Sequence, residues 1–138
     1  MSRSVLDAVP GNLPPMERAH AVQVEAARVG FDWPDVGAMI EKIREETREL
    51  STAWAQGDRR SIAEEIGDLL LVLVNVARAQ ELDAGSCLAE ACTKFERRFR
   101  AMESRLASSG RKLGGETPGA MDALWREMKA KEKEEGVP

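Results

Sequence analysis

Four carboxylates at two matched spacings are the residues of this chain best suited to chemistry. Glu46 and Glu49 stand three apart, and Glu65 and Asp68 repeat the interval. On a helix, residues three apart share a face, with Cβ atoms about 5–6 Å from one another. Hard oxygen donors gathered this way suit a hard cation, and Mg²⁺, with Mn²⁺ as a substitute, is the natural choice. Zinc would ask for Cys or His. The single histidine, His20, lies in no Glu-x-x-His unit, so a di-iron carboxylate centre is not expected. One such pair is common on a solvated face. Two pairs flanking Gly57-Asp58 are less ordinary, because a hairpin turning there brings them together. Carboxylates gathered away from water repel and take up protons unless cations compensate.

A second constellation lies downstream. Lys94 and Arg98 are four apart and share a helix face, and Trp125 and Lys129 repeat that spacing. Cations neutralise phosphate, and an indole can stack on a base. Asn75, seven residues after Asp68, falls on a similar face and is a further candidate. The plainer reading makes Phe95, Phe99 and Trp125 apolar core anchors with solvated charges between them. Beside an acidic metal site, the combination suits a phosphate joined to a nucleobase.

These residues need helices to hold them. Ala, Glu, Arg and Leu dominate, Tyr is absent, and no stretch alternates as a strand would, so the chain reads as all-α. Pro10, Gly11, Asn12 and Pro14 mark residues 1–14 as a loose leader. Helices are expected at about 15–29, 36–56, 59–80, 86–107 and 117–133, with residues 134–138 a frayed tail. The main domain is 15–133. In the second helix the apolar stripe runs Val36, Met39/Ile40, Ile43, Leu50, Trp54, and Glu46 falls on it. In the third, Glu65 shares a face with Leu69, Val72 and Val76, so both acids point inward. The third helix's centre, Leu69 to Val74, is apolar on every side, which implies burial on every side. In a chain of 138 residues that predicts a bundle of about five helices completed by dimerisation.

Composition narrows the classes. A net charge of −4 and one local basic cluster, Arg97, Arg98 and Arg100, argue against stable nucleic-acid binding. The longest apolar run is too short for a bilayer, so no membrane partner is expected. No charged-then-apolar signal opens the chain. Cys87 and Cys92, five apart, suit neither a CxxC site nor a staple and read as reduced residues packing as small apolar groups. A cytoplasmic location follows.

The runs Gly30-Phe31-Asp32-Trp33-Pro34-Asp35, Lys42 to Leu50, Gly57-Asp58, Glu64 to Leu70, Val74 to Arg78 and Lys94 to Phe99 together resemble the MazG family of nucleoside triphosphate pyrophosphohydrolases. The likeness is strongest to the C-terminal half of two-domain bacterial MazG proteins and covers about residues 13 to 130. Its ExxE…ExxD motif has fifteen residues between Glu49 and Glu65. The resemblance implies an all-α fold whose protomers pair, as a dimer or a dimer of dimers. It also implies Mg²⁺-dependent hydrolysis of a nucleoside triphosphate to the monophosphate and pyrophosphate, in nucleotide-pool house-cleaning. By position, Glu46, Glu49, Glu65 and Asp68 are its metal ligands, with Glu46 or Glu49 also activating water. Lys42, Lys94 and Arg98 match its phosphate contacts, and Trp125 and Lys129 match positions near the nucleotide. The alternatives are a narrower enzyme for dUTP, dCTP or phosphoribosyl-ATP, and a non-catalytic helical dimerisation module.

Overall fold

A computed structural model describes residues 3–138, which form five helices and no strand. They are α1 (Pro15–Arg28), α2 (Val36–Gln56), α3 (Arg59–Ala79), α4 (Ala84–Ala107) and α5 (Pro118–Glu134). The fold is all-α, as the composition requires. The chain divides into two compact units, Met1–Cys87 and Leu88–Pro138.

In the first unit α2 and α3 pair along their length, and α1 packs on α3. The α2–α3 hairpin is set by two adjacent residues. Gly57 ends α2 at φ 67°, a left-handed conformation in which a side chain costs about 1–2 kcal/mol. Asp58 then caps α3, accepting from the backbone amides of Arg60 (3.1 Å) and Ser61 (3.3 Å). Asp35 caps α2 in the same way, accepting from Ala38 N at 2.8 Å. Gln23 Nε2 donates to the Leu71 carbonyl at 2.9 Å and ties α1 to α3. Among residues 3–14, a 3₁₀ turn at Val5–Ala8 carries a capping box from Ser4 to Asp7.

The core of this unit is Met39 and Ala53 on α2 with Val72, Val74 and Ala77 on α3, and it includes two polar residues, Glu46 and Asn75. Met39, Glu46 and Ala53 are successive heptad positions, so Glu46 sits on the buried seam. Trp54, expected on that stripe, is 73% exposed because Ala53 takes the inward position. On α3, Val72 and Val74 are buried, but Leu70 and Leu73 remain 50% and 49% exposed. With Ile66 they form one stripe at i, i+4, i+7. The single chain therefore covers only part of the apolar centre of α3.

In the second unit, Met102 and Leu106 of α4 and Met128 of α5 are the buried apolar residues. Phe95 stacks on Phe99, with ring centroids 5.9 Å apart, and meets Trp125 at 5.2 Å. Both phenylalanines are exposed rather than core, although they continue the Met102–Leu106 stripe of α4 at i, i+4, i+7 and i+11. Glu132 accepts from Arg97 Nε (3.0 Å) and Arg98 Nε (2.5 Å), which anchors the last turns of α5. Cys87 and Cys92 are free and exposed, not packed as expected, because neither lies on a covered face of α4.

Candidate metal and phosphate site

The α2–α3 hairpin brings three of the four expected acids together. Carboxylate oxygens of Glu46, Glu49 and Glu65 all lie within 4.8 Å of one another. Their settings differ. Glu46 is 3% exposed, Glu65 is half-buried, and Glu49 faces solvent. Asp68, one turn beyond Glu65, is exposed and lies outside this group.

Burial of a carboxylate needs a compensating charge, and Lys42 supplies it. Its Nζ stands 2.7 Å from Glu46 Oε1 and 3.2 Å from Glu45 Oε2. That pairing holds Glu46 below the usual carboxylate range, helped by a hydrogen bond from Glu65 and opposed by burial. Lys42 is correspondingly held above its usual value, by Glu46 first and Glu45 second. Glu65 goes the other way, pushed up to about 7. Its hydrogen bond with Glu46 is the largest cause, followed by loss of water and the charge of Glu49. Glu46 and Glu65 thus share a proton in place of a cation.

The donor set fits a divalent metal. Glu46 Oε2 and Glu65 Oε2 are both buried, and apart from the proton between the two acids no donor reaches either. Buried oxygens with so few donors are uncommon and costly. An octahedral Mg²⁺ with oxygens at about 2.1 Å spaces neighbouring ligands by about 3 Å and opposite ones by about 4 Å. Three acids within 4.8 Å need little movement to reach that geometry.

The expected substrate contacts fall as follows. Lys42 is engaged with the acids. Asn75 is buried on α3, its Oδ1 accepting from Arg78 Nε at 2.7 Å. In the second unit Lys94 and Lys129 are exposed and make no ion pair with the described residues. Arg98 pairs with Glu132 and lies over the Trp125 ring at 5.5 Å. The spacing of the acids alone does not mark Lys42, although its i,i+4 relation to Glu46 carries the signal. Glu132 had none, since its partners lie on another helix, thirty-five and thirty-four residues away.

Residues 35–102 match the MazG nucleotide pyrophosphohydrolase domain. That span contains Lys42, the four acids, Asn75, Lys94 and Arg98. A nucleoside triphosphate pyrophosphohydrolase of Escherichia coli K12 is 38% identical over 131 residues, 94% of this chain and 50% of that protein. The nucleoside triphosphate pyrophosphohydrolase/pyrophosphatase MazG of Thermotoga maritima is 38% identical over 117 residues, 85% of this chain and 45% of its own length. The uncharacterized protein YabN of Bacillus subtilis shares 38% over 131 residues, 27% of its length. The chain spans about half the length of the first two of these relatives.

Proposed function

We propose that this chain, which belongs to the MazG family, hydrolyses nucleoside triphosphates to the monophosphate and pyrophosphate with the help of Mg²⁺. One observation carries the proposal: two buried carboxylate oxygens, from Glu46 and Glu65, have no donor from any other residue and sit beside Glu49 on the matched hairpin. A solvated acidic face would not bury them.

Glu46, Glu49 and Glu65 would hold Mg²⁺, with Asp68 as the fourth ligand that the family resemblance implies, and the ion would neutralise phosphate charge and lower the pKa of a water. The chain's own residues divide the rest. Glu46 has one oxygen committed to Lys42 and the other buried, which suits a fixed ligand. Glu49, the exposed member, is the one of the two candidates, Glu46 and Glu49, proposed to orient the attacking water and accept its proton. The new bond forms at the α-phosphorus as the α–β anhydride bond breaks. Lys42, Lys94 and Arg98 are the proposed phosphate contacts, as the family resemblance implies, and stabilise charge on the leaving pyrophosphate. Trp125 and Lys129 match positions near the nucleotide.

The half-exposed stripe Ile66, Leu70, Leu73 supports pairing of protomers, as a dimer or a dimer of dimers. The same stripe suits a non-catalytic dimerisation module, but that reading leaves the buried acids without a purpose. No helix among the described residues is long and apolar enough to cross a membrane. House-cleaning of the nucleotide pool is the role proposed for the activity. The test is a pyrophosphate-detected panel of ordinary, damaged and uracil- or cytosine-bearing triphosphates with and without Mg²⁺. Broad Mg²⁺-dependent turnover supports house-cleaning, turnover of one substrate alone supports a narrow enzyme, and none sinks the proposal.

A further inference from the structure

An arginine grips phosphate well only when its guanidinium is aimed, because the side chain is long and has many rotamers. Arg98 has a further difficulty, since Arg97 beside it carries a like charge. In the second unit one acid answers both. Glu132, on α5, lies beyond the residues 35–102 that match the family domain. Its Oε2 accepts from Arg98 Nε at 2.5 Å, and its Oε1 accepts from Arg97 Nε at 3.0 Å. The side chains of Glu132 and Arg98 are each 13% exposed, so water and salt screen the pair little. Arg97 first and Arg98 next hold the Glu132 carboxyl below its usual range against the effect of burial, which keeps it an anion at neutral pH.

The way Glu132 holds Arg98 leaves the useful edge open. Arginine binds phosphate through two parallel N–H groups. The bond to Glu132 runs through Nε, and neither Nη1 nor Nη2 of Arg98 hydrogen-bonds to the described residues. The guanidinium also lies over the Trp125 ring, 5.5 Å from its centroid. One edge held by Glu132 and one face held by Trp125 leave it little freedom to turn. Charge points the same way, because two arginines share one carboxylate and a positive charge is left over. Arg97 spends Nη2 on the Pro138 carbonyl at 2.8 Å, whereas Arg98 keeps both Nη groups.

We propose that Glu132 is a positioning residue for pyrophosphohydrolysis, holding Arg98 by Nε so that its Nη1–Nη2 edge meets the phosphates. The assignment rests on the pyrophosphohydrolase reading above, with Arg98 as a phosphate contact. It is tested by steady-state pyrophosphate release with Mg²⁺ from wild type, Glu132→Gln, Arg98→Ala and the double variant. Cooperative thermal unfolding checks the fold of each, and Glu132→Asp replaces Glu132→Gln in the set if the latter does not melt cooperatively. The Glu132 substitution should lower kcat/KM about tenfold when Arg98 is present, the loss of one charge-assisted hydrogen bond. It should lower it less than about twofold when Arg98 is already alanine, because nothing is left to aim. A comparable loss in both backgrounds makes Glu132 a structural tie and overturns the assignment. So does an unchanged kcat/KM, a KM that falls because Glu132 had competed with phosphate for Arg98, or loss of cooperative melting in both Glu132 variants. An active wild type indifferent to Arg98→Ala removes Arg98 from the phosphate contacts and this assignment with it, while the pyrophosphohydrolase reading stands. A wild type inactive on every triphosphate overturns that reading itself.

Discussion

Mg²⁺ binding should expel a proton from Glu65, and the amount should depend on pH in a defined way. In the metal-free protein Glu65 is pushed up to about 7, chiefly by its hydrogen bond with Glu46. A cation takes only the ionised carboxylate, so binding must release whatever proton is present. A group titrating near 7 is about 0.9 protonated at pH 6, about half at pH 7 and about 0.1 at pH 8. Those fractions are the expected number of protons released per protein. Lys42 adds nothing, because Glu46 and Glu45 hold its ammonium charged throughout this range. The assay is calorimetric titration with MgCl₂ at each pH, in two buffers of different protonation enthalpy. The dependence of observed heat on buffer gives the proton count. Glu65→Gln should bring the release close to zero at every pH. A release that stays constant from pH 6 to 8, or that persists in Glu65→Gln, would refute the shared-proton account of the cluster.

The same group makes metal-free stability depend on pH. Between about 4.5 and 7 the folded state holds a proton on Glu65 that the unfolded state has lost, so Tm should fall as pH rises through this window. Saturating Mg²⁺ should flatten the fall, as thermal scans in chelator and in MgCl₂ can check. Glu46 acts with the opposite sign, since its depressed value stabilises the fold above the unfolded pKa and is lost on acidification below it. Gly57→Ala should cost about 1–2 kcal/mol in denaturant unfolding, because φ 67° disfavours a side chain. Leu73→Asp should shift sedimentation toward the monomer and reduce turnover, and a fully active monomer would count against pairing at the α3 stripe.

Much of the fold is legible because its signals are local. Gly57-Asp58 encodes both the end of α2 and the cap of α3, and Asp35 and Thr117 cap α2 and α5 through their own side chains. Glu46 is legible for the same reason: it occupies a heptad seam between Met39 and Ala53. Periodicity cannot choose between adjacent positions of similar phase, and so Trp54 was expected inside where Ala53 sits. Nor does spacing rank the four acids. Glu65 and Asp68 are equivalent in sequence, yet only Glu65 faces Glu46 across the hairpin. The docking of α1 against α3 was illegible, since its tie runs from Gln23 to Leu71, forty-eight residues apart. The tie from Glu132 to Arg97 and Arg98 likewise crosses between helices.

The central claim is that the acid cluster on the α2–α3 hairpin holds the metal that cleaves a triphosphate. Its most direct test is pyrophosphate release from a nucleoside triphosphate by wild type and Glu65→Ala, each with MgCl₂ and with chelator. Wild type should release pyrophosphate only with Mg²⁺, and folded Glu65→Ala should lose about a hundredfold or more of that rate. Equal release by the two proteins, or release by wild type in chelator, would contradict it.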